Sequence, residues 1–246
     1  MRRLEKQALH EAAFCTTTSQ ALAGAFVAAY GGREAGVVYN AFERLSGSPP
    51  AGMAPERLEV SRPSLCWFSQ TIGPGRGLEI LFDAFARVKG DCELHLRGDG
   101  HAAYIESLMG RLQPAATARV AFHGTTSPAQ LPWRIAGHDI GLALELTTPP
   151  SRDLTITNKV FQFLQGGCAI IASRTTGQEE AARHFPAAIT LTDLEPVALA
   201  AAIDGLLADP AKLAKARKAA RAAGDGPASW EQVSEGLVRR FREAVG

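Results

Sequence analysis

A chain of 246 residues with 46% hydrophobic and 21% charged residues can bury a core in one or two domains, and is neither a disordered tail nor a fibre. Its formal net charge of +1 gives no electrostatic case for nucleic acid as a partner. Cys15, Cys66, Cys92 and Cys168 lie far apart without a Cys-x-x-Cys or Cys/His cluster, so reduced thiols in a cytoplasmic protein are expected and a metal site is not.

The first stretch reads helix, strand, helix, strand. "RRLEKQALHEAA" has helical character, "FCTTT" is a strand end, and Ser19 is placed to cap the helix "QALAGAFVAAY". Gly31 and Gly32 stop that helix, and "GVVYN" is strand-like. Two short strands and two helices are too little for a domain, so residues 1–42 read as the end of something larger. Residues 43–63 hold four prolines and two glycines without periodicity, which is the composition of a linker.

From Ser64 onward strands and helices alternate. Strands are expected at "LCWFS", "CELHLRG", "RVAFHG", "DIGLAL", "CAIIAS" and "AAITL", with helices near 78–88, 102–112, 127–136, 158–165 and 177–184. Short apolar strands separated by helices of this length imply a parallel sheet covered on both faces by right-handed crossovers. That is a doubly wound, Rossmann-like α/β domain over residues 64–225. Only helices follow the last strand: Pro196–Leu207, Pro210–Ala223 and a final one from Ser229 within residues 226–246. The basic run Lys212, Lys215, Arg217, Lys218 and Arg221 reads as a solvated helix face. No apolar run approaches the roughly 18 residues of a membrane span, and the N-terminus lacks a signal-peptide core, so membrane contact is not expected.

Ligands of doubly wound sheets bind beyond the carboxyl ends of the strands, so the residues after each strand carry the chemistry. After the first comes "SQTIGPGRGLE". Its glycines Gly73, Gly75 and Gly77 let backbone N–H groups approach a ligand, and Arg76 stands where a helix N-terminus attracts anions. The spacing is not the dinucleotide fingerprint. After the second strand Gly98 and Gly100 flank Asp99 in an Asp-Gly turn, and after the third Ser127 is placed as a cap with Pro128 at the first helical position. Glu145 ends the fourth strand before a long loop. The helix beyond it opens with Asn158 and Lys159, which share a face with Gln162, and a cation beside free N–H groups suits a diphosphate. After the fifth strand Thr175 or Thr176 caps a helix with Gln178, Glu179 and Glu180 in its first turn.

Five stretches in this order, "CTTTSQALAGAFVAAYGGREAGVVYNAF", "LCWFSQTIGPGRGLEILFDAFARV", "LHLRGDG", "RVAFHGTTSPAQLPWRIAGHDIGLALE" and "TNKVFQFLQGGCAIIASRTTGQEEA", resemble the retaining, nucleotide-sugar-dependent group 1 glycosyltransferases of the GT-B fold. The closing "SWEQVSEGLVRRF" resembles that family's C-terminal crossover helix. The resemblance implies two Rossmann-like domains facing a cleft, with residues 64–225 binding the donor and residues 1–42 as the remnant of an acceptor domain. It implies that Arg76 and Lys159 hold the diphosphate, that Glu145 contacts ribose or donor sugar as the acidic residue nearest the family's glutamate position, and that Gly73, Gly75, Gly77 and Gly98 admit backbone contacts. Asn158, Gln162, Gln178 and Glu179 would contact ribose or sugar, and Gly124 and Thr125 would line the base pocket. The expected partners are a nucleoside-diphosphate sugar, an acceptor the sequence does not specify, and either a separate acceptor-domain chain or a second copy; no cofactor or metal is implied. Two positions depart from the family. Thr71 stands where a first cation is usual, and Gln162 where a glutamate is usual. They open the alternative of a non-catalytic nucleotide-sugar-binding or regulatory module.

Overall fold

Residues 14–42 do form a βαβ unit, and it is tied into the main body by buried polar contacts. The computed structural model describes residues 2–31, 35–54 and 56–245. Its N-terminal segment consists of α1 (Arg2–Glu11), β1 (Thr16–Thr17), α2 (Gln20–Tyr30) and β2 (Gly36–Val37), with β1 and β2 paired in parallel. Ser19 caps α2 as expected, accepting from the Leu22 N–H at 3.1 Å while its hydroxyl donates to the Leu154 carbonyl. Gly31, at φ 66°, ends the helix; Gly32 lies outside the described residues. The carboxylate of Glu180, only 3% exposed, accepts from the N–H groups of Gln20 and Ala21 and from the Tyr39 hydroxyl.

The linker leads into β3 (Ser64–Ile72), α3 (Leu78–Phe85), β4 (Glu93–Gly100), α4 (Ala102–Met109), α5 (Pro114–Thr117), β5 (Val120–His123) and α6 (Leu131–Ala136). The second half runs β6 (Ile140–Ala143), α7 (Pro150–Leu154), α8 (Asn158–Gly166), β7 (Ala169–Ser173), α9 (Thr176–His184), β8 (Ile189–Thr192), α10 (Pro196–Leu207), α11 (Pro210–Gly224) and α12 (Trp230–Val245). All strand pairs of the main sheet are parallel, in the order β5-β4-β3-β6-β7-β8, which is the doubly wound arrangement.

Alternation along β3 divides the core. Leu65 and Trp67 face one side with Leu78, Phe82 and Phe85 of α3 and Leu199 and Ile203 of α10, while Cys66 and Phe68 face the other with Val160, Phe161 and Leu164 of α8. β6 and β7 are buried at every residue, as strands covered on both faces must be. The apolar side of α8 packs into the second layer, and Gly167 at φ 72° stops the helix so that Cys168 can enter the sheet. All four cysteines are free; burial pushes the thiols of Cys92 and Cys168 up to about 12.

Two expectations need correction. The helix expected over 127–136 starts at Leu131: the Ser127 carbonyl, not its side chain, receives the Gln130 and Leu131 N–H groups in a preceding turn. Pro132 falls in the first turn of α6, where its missing N–H costs nothing, so the start moves past Pro128. The long loop after β6 contains α7, opened by Pro150. The linker has little regular structure, and Arg57 bonds to Glu93, to Asp139 and to the Gly137 carbonyl, which fastens it to the starts of β4 and β6.

Candidate functional site

The strand order reverses between β3 and β6, the point where sheets of this kind leave a crevice. A cavity of about 450 Å³ lies at that end of the sheet. One wall is the end of β3, where the register with β4 shifts between Phe68 and Thr71 and leaves Phe68, Ser69 and Gln70 lining the cavity. A second wall is Arg97 of β4 with Thr125 and Thr126 after β5. The third is the start of α8, contributing Thr157, Asn158, Lys159 and Gln162. Thr157 is the N-cap residue but makes no capping hydrogen bond, and its Oγ1 is buried without a partner. The first N–H groups of α8 therefore lack a side-chain cap beside the cavity, an environment suited to an acceptor-rich ligand.

Lys159 reaches this wall already paired. Its Nζ lies 2.5 Å from Glu145 Oε1 and 5.8 Å from the centre of the Trp67 ring, and both partners of the ion pair are 13% exposed. Glu145 is locked in turn, its backbone N–H donating to Ser173 Oγ at 2.7 Å and its carbonyl accepting from the same hydroxyl at 2.8 Å. Gln178 Nε2 donates to that hydroxyl at 3.1 Å, and Gln178 is fully buried. Gln178 thus supports Glu145 through Ser173 and is absent from the cavity lining. Glu179 is likewise absent from the cavity lining, its carboxylate 3.5 Å from Arg174. Asn158 is exposed at the rim and accepts from Asn40 Nδ2 at 3.1 Å, whereas Gln162 is 8% exposed in the wall itself.

The glycine loop forms a separate feature. Gly75 and Gly77 adopt φ of 72° and 73°, Gly77 caps α3, and buried Gly73 precedes them. Arg76 is half-buried and its guanidinium makes no hydrogen bond or ion pair among the described residues. Arg152 of α7 donates to the Gly75 carbonyl at 2.7 Å and steadies the loop. Lys159 lines the cavity and Arg76 does not, so of the two expected diphosphate cations the structure brings Lys159 to it. Gly98 has a packing reason: a Cβ there would meet the Ser69 carbonyl oxygen at 2.6 Å. Gly124 is exposed, and its carbonyl accepts from Arg97 Nη1 at 2.8 Å.

Beneath the linker, next to Arg97, three histidines pack together. His95 Nδ1 is 2.9 Å from His123 Nε2, His95 Nε2 is 3.0 Å from Glu93 Oε1, and His138 Nδ1 is 3.1 Å from Ser64 Oγ. Burial depresses the basicity of all three below the ordinary histidine value. Burial alone would raise Glu93, but hydrogen bonds from Arg57, the Glu59 N–H and His95 together hold it below the usual carboxylate range.

Sequence reasoning overlooked Arg97, Arg152, Ser173 and the unpartnered Thr157 hydroxyl. Arg97 carried a visible signal, since a charged residue inside a run expected to be a buried strand is out of pattern. Arg152 and Ser173 gave none, because their partners are 77 and 28 residues away.

The family model of the group 1 glycosyl transferases matches residues 62–209, more than half of the chain. No curated protein matches in sequence. Among solved structures, HepE of Anabaena with UDP and glucose superposes with a TM-score of 0.77 at 23% identity, covering 98% of this chain and 66% of HepE. Sucrose-phosphate synthase of Thermosynechococcus elongatus gives 0.74 at 19% identity over 98% of this chain and 61% of its own. A glycosyltransferase of Rickettsia africae gives 0.72 at 15% identity over 99% and 67%. At such identities the likeness speaks to the fold, and the chain spans about two thirds of these neighbours' length. With the doubly wound sheet and the family match over its core, this chain belongs to the group 1 glycosyltransferases.

Proposed function

We propose that the chain is the donor half of a glycosyltransferase, binding a nucleoside-diphosphate sugar in the crevice between β3 and β6. The carrying observation is the cavity itself, whose walls come from the β3, β5 and α8 loops of a group 1 glycosyltransferase domain. In this reading the nucleoside and sugar occupy the uncharged wall of Ser69, Gln70, Thr125, Thr126 and Gln162, with Asn158 at the rim. Arg76, the N-terminus of α3 and the N-terminus of α8 face the diphosphate. Lys159 joins them by exchanging its contact with Glu145 for one with phosphate. Transfer of the glycosyl group releases the nucleoside diphosphate, and these donors stabilise the charge it gains. The reading calls for no metal or cofactor. HepE, the structural neighbour, holds UDP and UDP-glucose, which favours a uridine nucleotide over GDP. Residues 1–42 then belong with an acceptor domain, supplied by further polypeptide, a separate chain or a second copy, and the site works in the cytoplasm.

A second reading, a nucleotide-sugar-binding or regulatory module without turnover, is favoured by Gln162 and Thr71 in place of an acid and a cation. Calorimetry with UDP, GDP and ADP tests the shared part: a folded sample that binds none of them refutes both readings. Release of glucose from UDP-glucose, by this chain alone or with an acceptor-domain chain, then decides for transfer against the module.

A further inference from the structure

The linker reaches the cavity through one carboxylate. Glu56 lies among Arg97, Arg134 and His123: it pairs with Arg97 Nη2, lies 3.2 Å from Arg134 Nη1 and is 4.0 Å from His123 Nδ1. Arg134 Nη1 also donates to the Ala54 carbonyl at 2.6 Å, so this part of the linker is held from both sides. Arg97 is the residue common to linker and cavity. It is 8% exposed and lines the cavity, and its other guanidinium nitrogen fixes the Gly124 carbonyl at the head of the Thr125–Thr126 wall. No other carboxylate among the described residues pairs with it.

We infer that Glu56 is a positioning residue of the donor site, so that docking of the linker sets the Arg97–Gly124 wall and ligand binding in turn secures the linker. The inference rests on the nucleotide-sugar reading of the cavity. Its physical basis is charge balance. With Glu56 in place, the Arg97 guanidinium divides its donors between a carboxylate and a carbonyl, and both the wall and the linker are held. Without it, the Arg97 and Arg134 guanidinium groups face each other with no intervening anion, and repulsion drives Arg97 toward the cavity. Arg97 then occupies ligand space and releases Gly124. A site that senses linker docking in this way must act back on it, since coupling between two equilibria is reciprocal.

The test is calorimetry with UDP on the full chain, with hydrogen exchange of residues 53–62 as a second measurement. Glu56→Ala should weaken UDP binding by about fivefold or more, while Glu59→Gln, on the same linker but 53% exposed, should not. In an Arg97→Met background the Glu56→Ala change should lose most of its effect, a non-additivity that general destabilisation does not produce. UDP should slow exchange in the linker of the wild type and not of Glu56→Ala. If the wild type binds UDP and Glu56→Ala binds equally well without altered linker protection, this inference alone falls. An effect of Glu56→Ala that persists undiminished in Arg97→Met also overturns it. If the folded wild type binds GDP or ADP in place of UDP, the same comparison is made with that nucleotide; if it binds none of the three, the nucleotide-sugar reading fails and takes the inference with it.

Discussion

Lys159 is asked to do two things, and replacing it by methionine separates them. In the free protein its ammonium is spent on Glu145, 2.5 Å away, with both side chains 13% exposed. A pair between the exposed and fully buried limits puts the loss from an orphaned Glu145 at about 2 kcal/mol. For a chain of this size that is about 4–8 °C in melting temperature. A charge-assisted hydrogen bond from Lys159 to phosphate is worth about 1.5–3 kcal/mol. Because the lysine must first leave Glu145, the lower end applies, and UDP affinity should fall about tenfold. Glu145→Gln makes the opposite prediction for binding. It also destabilises the protein, but it frees the ammonium, so UDP should bind several times more tightly. Both variants are read by thermal melting in the absence of nucleotide and by calorimetry with UDP. Lys159→Met that melts early yet binds UDP like the wild type would show a lysine serving only Glu145. The diphosphate would then be left to Arg76 and the two helix N-termini.

Two further outcomes follow from packing and burial. A Cβ on Gly177 would come within 2.4 Å of the Thr155 carbonyl carbon and oxygen, so Gly177→Ala should cost about 1–3 kcal/mol by pushing α9 off the strand of chain that leads into α8; an unshifted urea midpoint would count against that close approach. His95, His123 and His138 are kept neutral by burial, so below the ordinary histidine value near pH 6.5 the unfolded chain takes up protons that the native state refuses. Stability should therefore be level above about pH 6.5 and decline as the pH falls below it. Denaturant midpoints on either side of that pH check it, and a flat profile would mean these rings titrate normally in the fold.

What the sequence made legible is what neighbouring residues decide. The strands from Ser64 onward and the caps at Ser19 and Thr175 depend on a few adjacent side chains and came out as expected. The start of α6 did not, because Pro128 and Pro132 are both acceptable first-turn prolines and only packing chooses between them. The linker reads as loose by composition, yet Glu56 and Arg57 find partners up to 82 positions away, information that no local window contains. The site shows the same division. Asn158, Lys159 and Gln162 were placed together by helical spacing. The pairing of Lys159 with Glu145 could not be read, and neither could the inward turn of Gln178. A glutamine in a first turn looks the same in sequence whether it meets a ligand or a buried serine.

The Glu180 carboxylate has a mechanical consequence. It is 3% exposed, with backbone donors from α2 and a hydroxyl from Tyr39, and α9 is part of the main sheet's helical layer. Lifting the βαβ unit of residues 14–42 away from α9 would strand a carboxylate in a dry seam and uncap a helix at once, a cost of several kcal/mol. Residues 14–42 are therefore fastened to α9 as part of the same packed body, even though their strands pair apart from the main sheet.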